Sequence, residues 1–195
     1  DLLKRKEKKR KKKRISLWVK LLLMVAVCTG LYFFASSSYF NVTSFQVEGS
    51  TYYSEDEILT MGNCKTGENI FWGSGLADIK DRLEKDPYMA KVRIKRILPD
   101  KIKIEITERT QIGAVVYGDN YVVIDKDENV LRKTEVEPQL TLIKGLTISK
   151  IEVGQPIEVE EKVQMRQIMD MIISMNESDM YFKSIEISVW ERLRT

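Results

Sequence analysis

The chain has 195 residues, 43% of them apolar, which is enough for one or two small packed domains, but its formal charge of +3 conceals an uneven distribution. Residues 1–20 hold 11 of the 32 Lys and Arg and only two of the 29 acids, so the remainder carries 21 bases against 27 acids and, near −6, would repel nucleic-acid phosphate. There is no histidine, which excludes Ser-His and Cys-His dyads, and the two cysteines, Cys28 and Cys64, cannot build a disulfide framework or a cysteine-based zinc site.

The first 14 residues, DLLKRKEKKRKKKR, form a basic tail, and residues 15–35 follow as a candidate transmembrane helix. From Leu17 to Ala35 the only charge in 19 residues is Lys20. At about 1.5 Å per residue that run covers roughly 28 Å, close to the hydrocarbon thickness of a bilayer. Lys20 sits near the basic end, where its stem can return the ammonium to the headgroups, and Trp18 and Tyr32 stand near the two interfaces. Ten basic residues before Ile15 place the N-terminus in the cytoplasm and everything after Ser36 outside. A cleavable signal peptide ending at Ala35 to Ser38 is disfavoured by the length of the apolar run. Lipoprotein cleavage at Cys28 is disfavoured by the bulk of Val27. A nucleic-acid arm explains the tail less simply than topology and anionic lipid do.

Beyond the membrane, Val42, Phe45 and Val47 read as a short strand ending at Gly49. Ser54 and Glu57 have capping-box spacing, and Gly62 is expected to end the helix they open. Gly73-Ser74-Gly75 lacks the Lys-Ser/Thr ending of a phosphate loop and reads as a helix start. In GLADIKDRLEKD, Leu76, Ile79 and Leu83 share one helical face, while Asp78 with Arg82, Lys80 with Glu84 and Asp81 with Lys85 are i,i+4 pairs; Pro87 stops the helix. In KVRIKRILPDKIKIEITER, residues 91–109, Val92 and Ile94 alternate with Lys91, Arg93 and Lys95, and Ile102, Ile104 and Ile106 with Lys101, Lys103 and Glu105. Period two with one apolar face means a half-buried hairpin, turned at Pro99-Asp100. No aromatic residue interleaves with the bases, so they read as a solvated face and not a nucleic-acid surface.

These residues carry a resemblance. Phe45-x-Val47-x-Gly49-Ser50-x-Tyr52-x-Ser54-x-x-Glu57-Ile58, then Gly67-Glu68-Asn69-Ile70-Phe71, then Asp86-Pro87-Tyr88 leading into Val92-x-Ile94-x-Arg96-x-Leu98-Pro99 and Ile104-x-Ile106-x-Glu108-Arg109, resemble a POTRA domain of the FtsQ/DivIB type. That family comprises single-span bacterial cell-division proteins. The resemblance covers residues 42–109 and agrees with the basic tail and single span before them. It implies a septal scaffold without catalytic activity that recruits and regulates other division proteins outside the membrane.

QIGAVVYGDNYVVIDKDENVLRK holds three apolar runs separated by Gly118-Asp119-Asn120 and Asp127-Glu128-Asn129, a meander of short strands that resembles the start of the family's β-domain. The family usually has Gly where this chain has Asn129, which tolerates φ > 0 nearly as well. Asp125-x-Asp127-x-Asn129 imitates an EF-hand opening, but Val130 stands where Gly is needed and Val136 where a bidentate Glu is needed. From Glu158 to Met175 the spacing of Met165, Ile168, Ile172 and Met175 predicts a helix whose methionines serve core packing. Ile185, Ile187 and Val189 then alternate with Glu186 and Ser188 as a strand.

The expected architecture is α+β: a cytoplasmic tail (1–14), a transmembrane helix (15–35), a POTRA-like β-α-α-β-β domain (41–109) and a β-rich domain with one helix (110–195), incomplete at its C-terminus because the alternation is still running at Thr195. A fragment is also expected from the start at Asp1 without an initiator Met. The resemblance implies partners among small coiled-coil single-span subunits, the septal wall-synthesis machinery and the lipid bilayer, with no nucleic acid, small-molecule substrate, metal or cofactor. It also implies that the β-domain continues through a further helix to a final strand, where the coiled-coil partner adds its own strand, so residues 36–195 are expected to bind that partner poorly. Within the chain, the candidate partner-binding residues are Ser184, Ile185, Glu186, Ile187 and Val189. The alternative is a membrane-anchored cell-wall enzyme, which needs a deep pocket of converging acids in the second domain.

Overall fold

The computed structural model describes residues 2–178 and 183–187, with side chains for all of these except 2–16 and 177. Its first elements are α1 (Leu2–Ala35), a 3-10 turn (Ser38–Phe40), β1 (Ser44–Glu48), α2 (Glu55–Gly62), α3 (Leu76–Leu83), β2 (Met89–Ile97) and β3 (Lys101–Glu108). The three strands form a sheet in the order β1-β3-β2. Within α1, Leu17–Ala35 is long and apolar enough to cross a membrane by length and composition, with a mean hydropathy of 2.0. By contacts the chain divides into two compact units, Asp1–Gln46 with Lys65–Gly75 and Arg96–Ile102, and Val47–Cys64 with Leu76–Lys95 and Lys103–Thr195.

In the first unit, Val42 and Ile70 are buried. The Val42 amide donates to the Glu68 carbonyl and the Gly67 amide to the Val42 carbonyl, 2.8 Å each, which clips the loop before Phe71 onto the chain leaving α1. Thr43 bonds the hairpin turn, its amide donating to the Asp100 carbonyl and its hydroxyl to Asp100 Oδ2 at 2.7 Å.

In the second unit, α2 opens with the expected capping box: Ser54 and Glu57 satisfy each other's backbone amides. Its end differs from the expectation. Gly62 is the last helical residue, and Asn63 takes the left-handed cap at φ 50. Gly62 is needed there for another reason, since a Cβ would crowd Cys64 Sγ and Ile79. α3 packs on α2 and buries Ile79 and Leu83, and Arg82, expected to pair with Asp78, donates its Nε to the Gly62 carbonyl at 2.9 Å. The helix ends at Leu83, ahead of Pro87. Ser74 does not cap it; its hydroxyl bonds back to the Ile70 carbonyl. In the hairpin, Val92, Ile104 and Ile106 are buried while Lys91, Arg93 and Lys95 are exposed.

From Gly113 onward the chain forms β4 (Gly113–Tyr117), β5 (Asn120–Ile124), β6 (Val130–Thr134), β7 (Thr141–Lys144), β8 (Ile148–Lys150), β9 (Glu158–Val159), α4 (Lys162–Glu177) and β10 (Ser184–Glu186). The expected meander is β4, β5 and β6, paired antiparallel. Three further strands were not foreseen. β7 joins parallel to both β4 and β10, giving the order β10-β7-β4-β5-β6, while β8 pairs with β9 apart from that sheet. Thr141, Leu142 and Ile143 are all buried, so β7 lacks the alternation that marks a half-exposed strand.

Alternate residues of this sheet feed two apolar clusters. Val115, Val122, Ile124 and Ile143 join Met165, Ile168, Met169 and Ile172 of α4 in one, and Ala114, Val123 and Leu142 form the other. The methionines at 165, 169 and 175 are core residues. α4 starts later than Glu158 because Glu158–Val159 is β9, and Glu161 before the helix accepts from the Thr147 amide and hydroxyl at 2.8 Å each. The turn between β5 and β6 places the left-handed residue at Glu128, φ 64, and not at Asn129.

The two faces of the hairpin separate cleanly by experiment. Lys91→Ala and Arg93→Ala should change stability by no more than about 0.5 kcal/mol. Ile104→Asp, which buries an unpaired charge at a fully buried site, should unfold the domain in near-UV circular dichroism melts. Equal tolerance at both faces would contradict this register.

Candidate functional site

Two places could carry function: β10, the end strand of its sheet among the described residues, and the junction at the end of β3. At β10, Ser184, Ile185 and Glu186 lie opposite Leu142, Ile143 and Lys144 of β7. The Leu142 amide donates to the Lys183 carbonyl and the Ile187 amide to the Lys144 carbonyl, so the odd-numbered residues turn their main-chain groups toward β7. Because these groups alternate along a strand, the N–H and C=O of Ser184 and Glu186 face the outer edge. The side chains divide the same way: Ile185 and Ile187 pack against the cluster under α4, while Ser184 and Glu186 are exposed. Gly145, at φ 85, lets the end of β7 pass close to this segment, since a Cβ there would overlap the Ile187 carbonyl oxygen. Of the five residues expected to meet a partner, two are therefore partly buried against the core, two border the edge, and Val189 lies outside the described residues.

At the junction, consecutive residues Glu108 and Arg109 serve different turns. Glu108 accepts from the Ser50 hydroxyl, the Thr51 amide and hydroxyl at 2.8 and 2.9 Å, and the Tyr52 amide at 3.2 Å. Gly49, at φ 87, permits that turn because a Cβ would overlap the Ile106 carbonyl oxygen. Partial burial opposes ionisation of Glu108, but the Ser50, Thr51 and Tyr52 donors together hold its carboxyl below the usual range. Arg109 Nη1 donates to Asp125 Oδ2 at 2.7 Å. Asp125 is 1% exposed, and its oxygens also accept from the Asp127 and Asn129 amides and from Asn129 Nδ2. Alongside, Tyr52 stacks on Tyr88 with centroids 4.1 Å apart, and the Tyr53 hydroxyl donates to Asp86. Burial raises the Tyr53 phenol well above its usual range.

Clefts of about 560 and 550 Å³ border this junction, the second lined by Glu108, Arg109, Asp125 and Asp127 among others. Two of those three carboxylates are committed, Glu108 to the 50–53 turn and Asp125 to Arg109 and its own turn, which leaves exposed Asp127. Among the described residues no three His, Cys, Asp or Glu side chains converge to hold a metal ion. The turn that imitates an EF-hand opening is hydrogen bonded from the Asp127 and Asn129 amides to Asp125 Oδ1. Sequence reasoning missed the roles of Glu108 and Arg109, although adjacent opposite charges where an alternating strand ends were a usable signal.

The POTRA domain, FtsQ-type, matches residues 40–109. The chain is 29% identical to cell division protein DivIB of Clostridium acetobutylicum over 86% of its own length and 64% of that relative's. It is 24% identical to DivIB of Clostridium botulinum strain Hall, over 94% of this chain and 71% of the relative, and 33% identical to cell division protein FtsQ of Syntrophotalea carbinolica over 59% and 40%. The chain therefore spans less than two thirds of the length of the first of these relatives.

Replacing Glu108 tests the junction. Glu108→Gln should cost about 1–3 kcal/mol at neutral pH, because four donors lose an ionised acceptor. With a folded value below the unfolded one, the carboxylate's contribution is present in full above the ordinary 4.5 and is lost as pH falls through the lower folded value. The parent's melting temperature should therefore drop more steeply than the variant's in that acid range. Superimposable melting curves for the two at pH 7 would contradict the role.

Proposed function

Because the chain belongs to the FtsQ/DivIB family of cell-division proteins, we propose that it is a non-enzymatic scaffold of the bacterial divisome, anchored by one span with its N-terminus in the cytoplasm. Its folded part lies outside the membrane at the septum, where it recruits and regulates the septal wall-synthesis machinery and small coiled-coil single-span subunits. The basic residues before the apolar run Leu17–Ala35 support this orientation, since an excess of Lys and Arg stays on the cytoplasmic side. The engagement of Glu108 and Asp125 in structural bonds supports a binding role over glycosidic wall hydrolysis, which uses a free pair of carboxylates.

The observation that carries the reading is the edge at β10, where Ser184 and Glu186 turn main-chain donors and acceptors outward. An extended partner segment added there gains affinity from backbone hydrogen bonds, which side chains elsewhere cannot replace. Such an edge suits a coiled-coil subunit whose segment beyond its helix is extended.

Glu186→Pro removes one outward donor while leaving the bonds to β7 in place, because proline is tolerated on an edge. In co-purification with the small coiled-coil division proteins, Glu186→Pro should lose retention at least about tenfold, the cost of one or two hydrogen bonds. Glu186→Ala should behave as the parent. Equal retention by the proline variant, or retention only by a chain extended beyond Thr195, would place the partner's edge on a later strand, as the family resemblance implies, and not at β10.

A further inference from the structure

Aromatic rings gather where α1 ends. Tyr32 of its last turns lies 6.0 Å from Trp72, Phe34 lies 5.2 Å from Phe40, and Phe40 lies 5.3 Å from Phe71, all measured between ring centroids. Hydrogen bonds hold the loop carrying Phe71 and Trp72 in place. Asn69 Nδ2 donates to the Ala35 carbonyl at 2.9 Å, taking up one of the acceptors that a helix C-terminus leaves without an intrahelical donor. Asn69 Oδ1 accepts from the Phe71 amide at 2.9 Å, and the Ile70 amide donates to the Phe40 carbonyl at 2.8 Å. Arg96 Nε donates to the Ile70 carbonyl at 2.7 Å from the other side. A loop so tied presents its rings at a fixed place, and yet Trp72 and Tyr39 are each 64% exposed. A contiguous set of exposed aromatic rings marks an interaction surface.

The depth of these rings identifies what covers them. Leu17–Ala35, 19 residues at about 1.5 Å each, fills the hydrocarbon thickness, so its final turn stands at the boundary between acyl chains and headgroups. Trp72 touches Tyr32, less than one turn before Ala35, and is thereby brought to that boundary. Tryptophan and tyrosine favour this depth because an apolar ring body and a polar N–H or O–H find their own environments there.

We propose that the Phe71-Trp72 loop, together with Tyr39, is seated in the headgroup boundary of the bilayer and gives the folded part a second membrane attachment besides α1. The inference rests on α1 being a membrane span and adds a defined face to it. Asn69 is the positioning residue, since it fastens the loop to the helix end. The consequence is that the segment around Phe40 and Val42, with the loop clipped to it, is held against the lipid surface and does not swing on residues 36–39.

The test uses the full chain reconstituted in phosphatidylcholine–phosphatidylglycerol vesicles. Trp18→Phe with Trp190→Phe leaves Trp72 as the sole tryptophan, and Trp72→Phe with Trp190→Phe leaves Trp18. Lipids brominated high on the acyl chain should quench Trp72 fluorescence by more than half. Iodide on both faces should quench it several-fold less than it quenches free tryptophan amide. Adding Asn69→Ala should raise iodide access and weaken lipid quenching. If Trp18 is quenched by brominated lipid while Trp72 answers only to iodide, the loop lies in water, the inference is overturned, and the rings are left for another protein's span. If Trp18 also escapes lipid quenching, α1 does not span and the membrane reading fails with it.

Discussion

Successive side chains of an extended strand point to opposite sides, and at the end of β3 that rule ties two separate turns to one strand. Glu108 turns one way and completes the 50–53 turn, which delivers Ser54 in position to cap α2. Arg109 turns the other way and meets Asp125, the residue around which the 125–129 turn between β5 and β6 is hydrogen bonded. The Arg109 amide also donates to the Tyr88 carbonyl at 2.8 Å, so the end of β3 is bonded through backbone as well as side chain. Asp125 at 1% exposure cannot be left without its cation, because removing one partner of a buried pair costs about 3–5 kcal/mol.

The same reasoning explains residues that the family resemblance alone could only mark. Gly49 is required by the closeness of the Ile106 carbonyl, Ser50 and Tyr52 by donation to Glu108, Asp86 by the Tyr53 hydroxyl and the Tyr88 amide, and Asn69 by the end of α1. Each supplies or accepts a hydrogen bond where the backbone turns, or makes room for one.

What could be read in advance was periodic or local. The hairpin followed from alternation, α2 from a capping box, the meander from turn residues and α4 from its apolar spacing. What could not be read depended on partners distant in sequence. β7 carries Thr141-Leu142-Ile143 without alternation because both of its faces are covered and both neighbours run parallel to it. The left-handed position fell to Glu128 because the Asn129 amide and side chain are both drawn to Asp125, which turned an apparent glycine substitute into a hydrogen-bond donor. At the candidate edge, alternation identified the strand but not which side of it met the sheet; the bonds between Lys183 and Leu142 and between Ile187 and Lys144 settle that.

The five-stranded sheet that ends in β10 keeps its place only if its turns are fixed, and the Arg109–Asp125 pair ties the turn between β5 and β6 to the end of β3. A double-mutant cycle measures that pair directly. Urea unfolding of the full chain in detergent micelles, followed by near-UV circular dichroism, would be compared for the parent, Arg109→Ala, Asp125→Asn and the double variant. The account predicts that the double variant is more stable than the summed single costs imply, with a coupling of about 1–3 kcal/mol. Costs that simply add would mean that Arg109 and Asp125 stabilise the protein independently, and the junction would not be the constraint described.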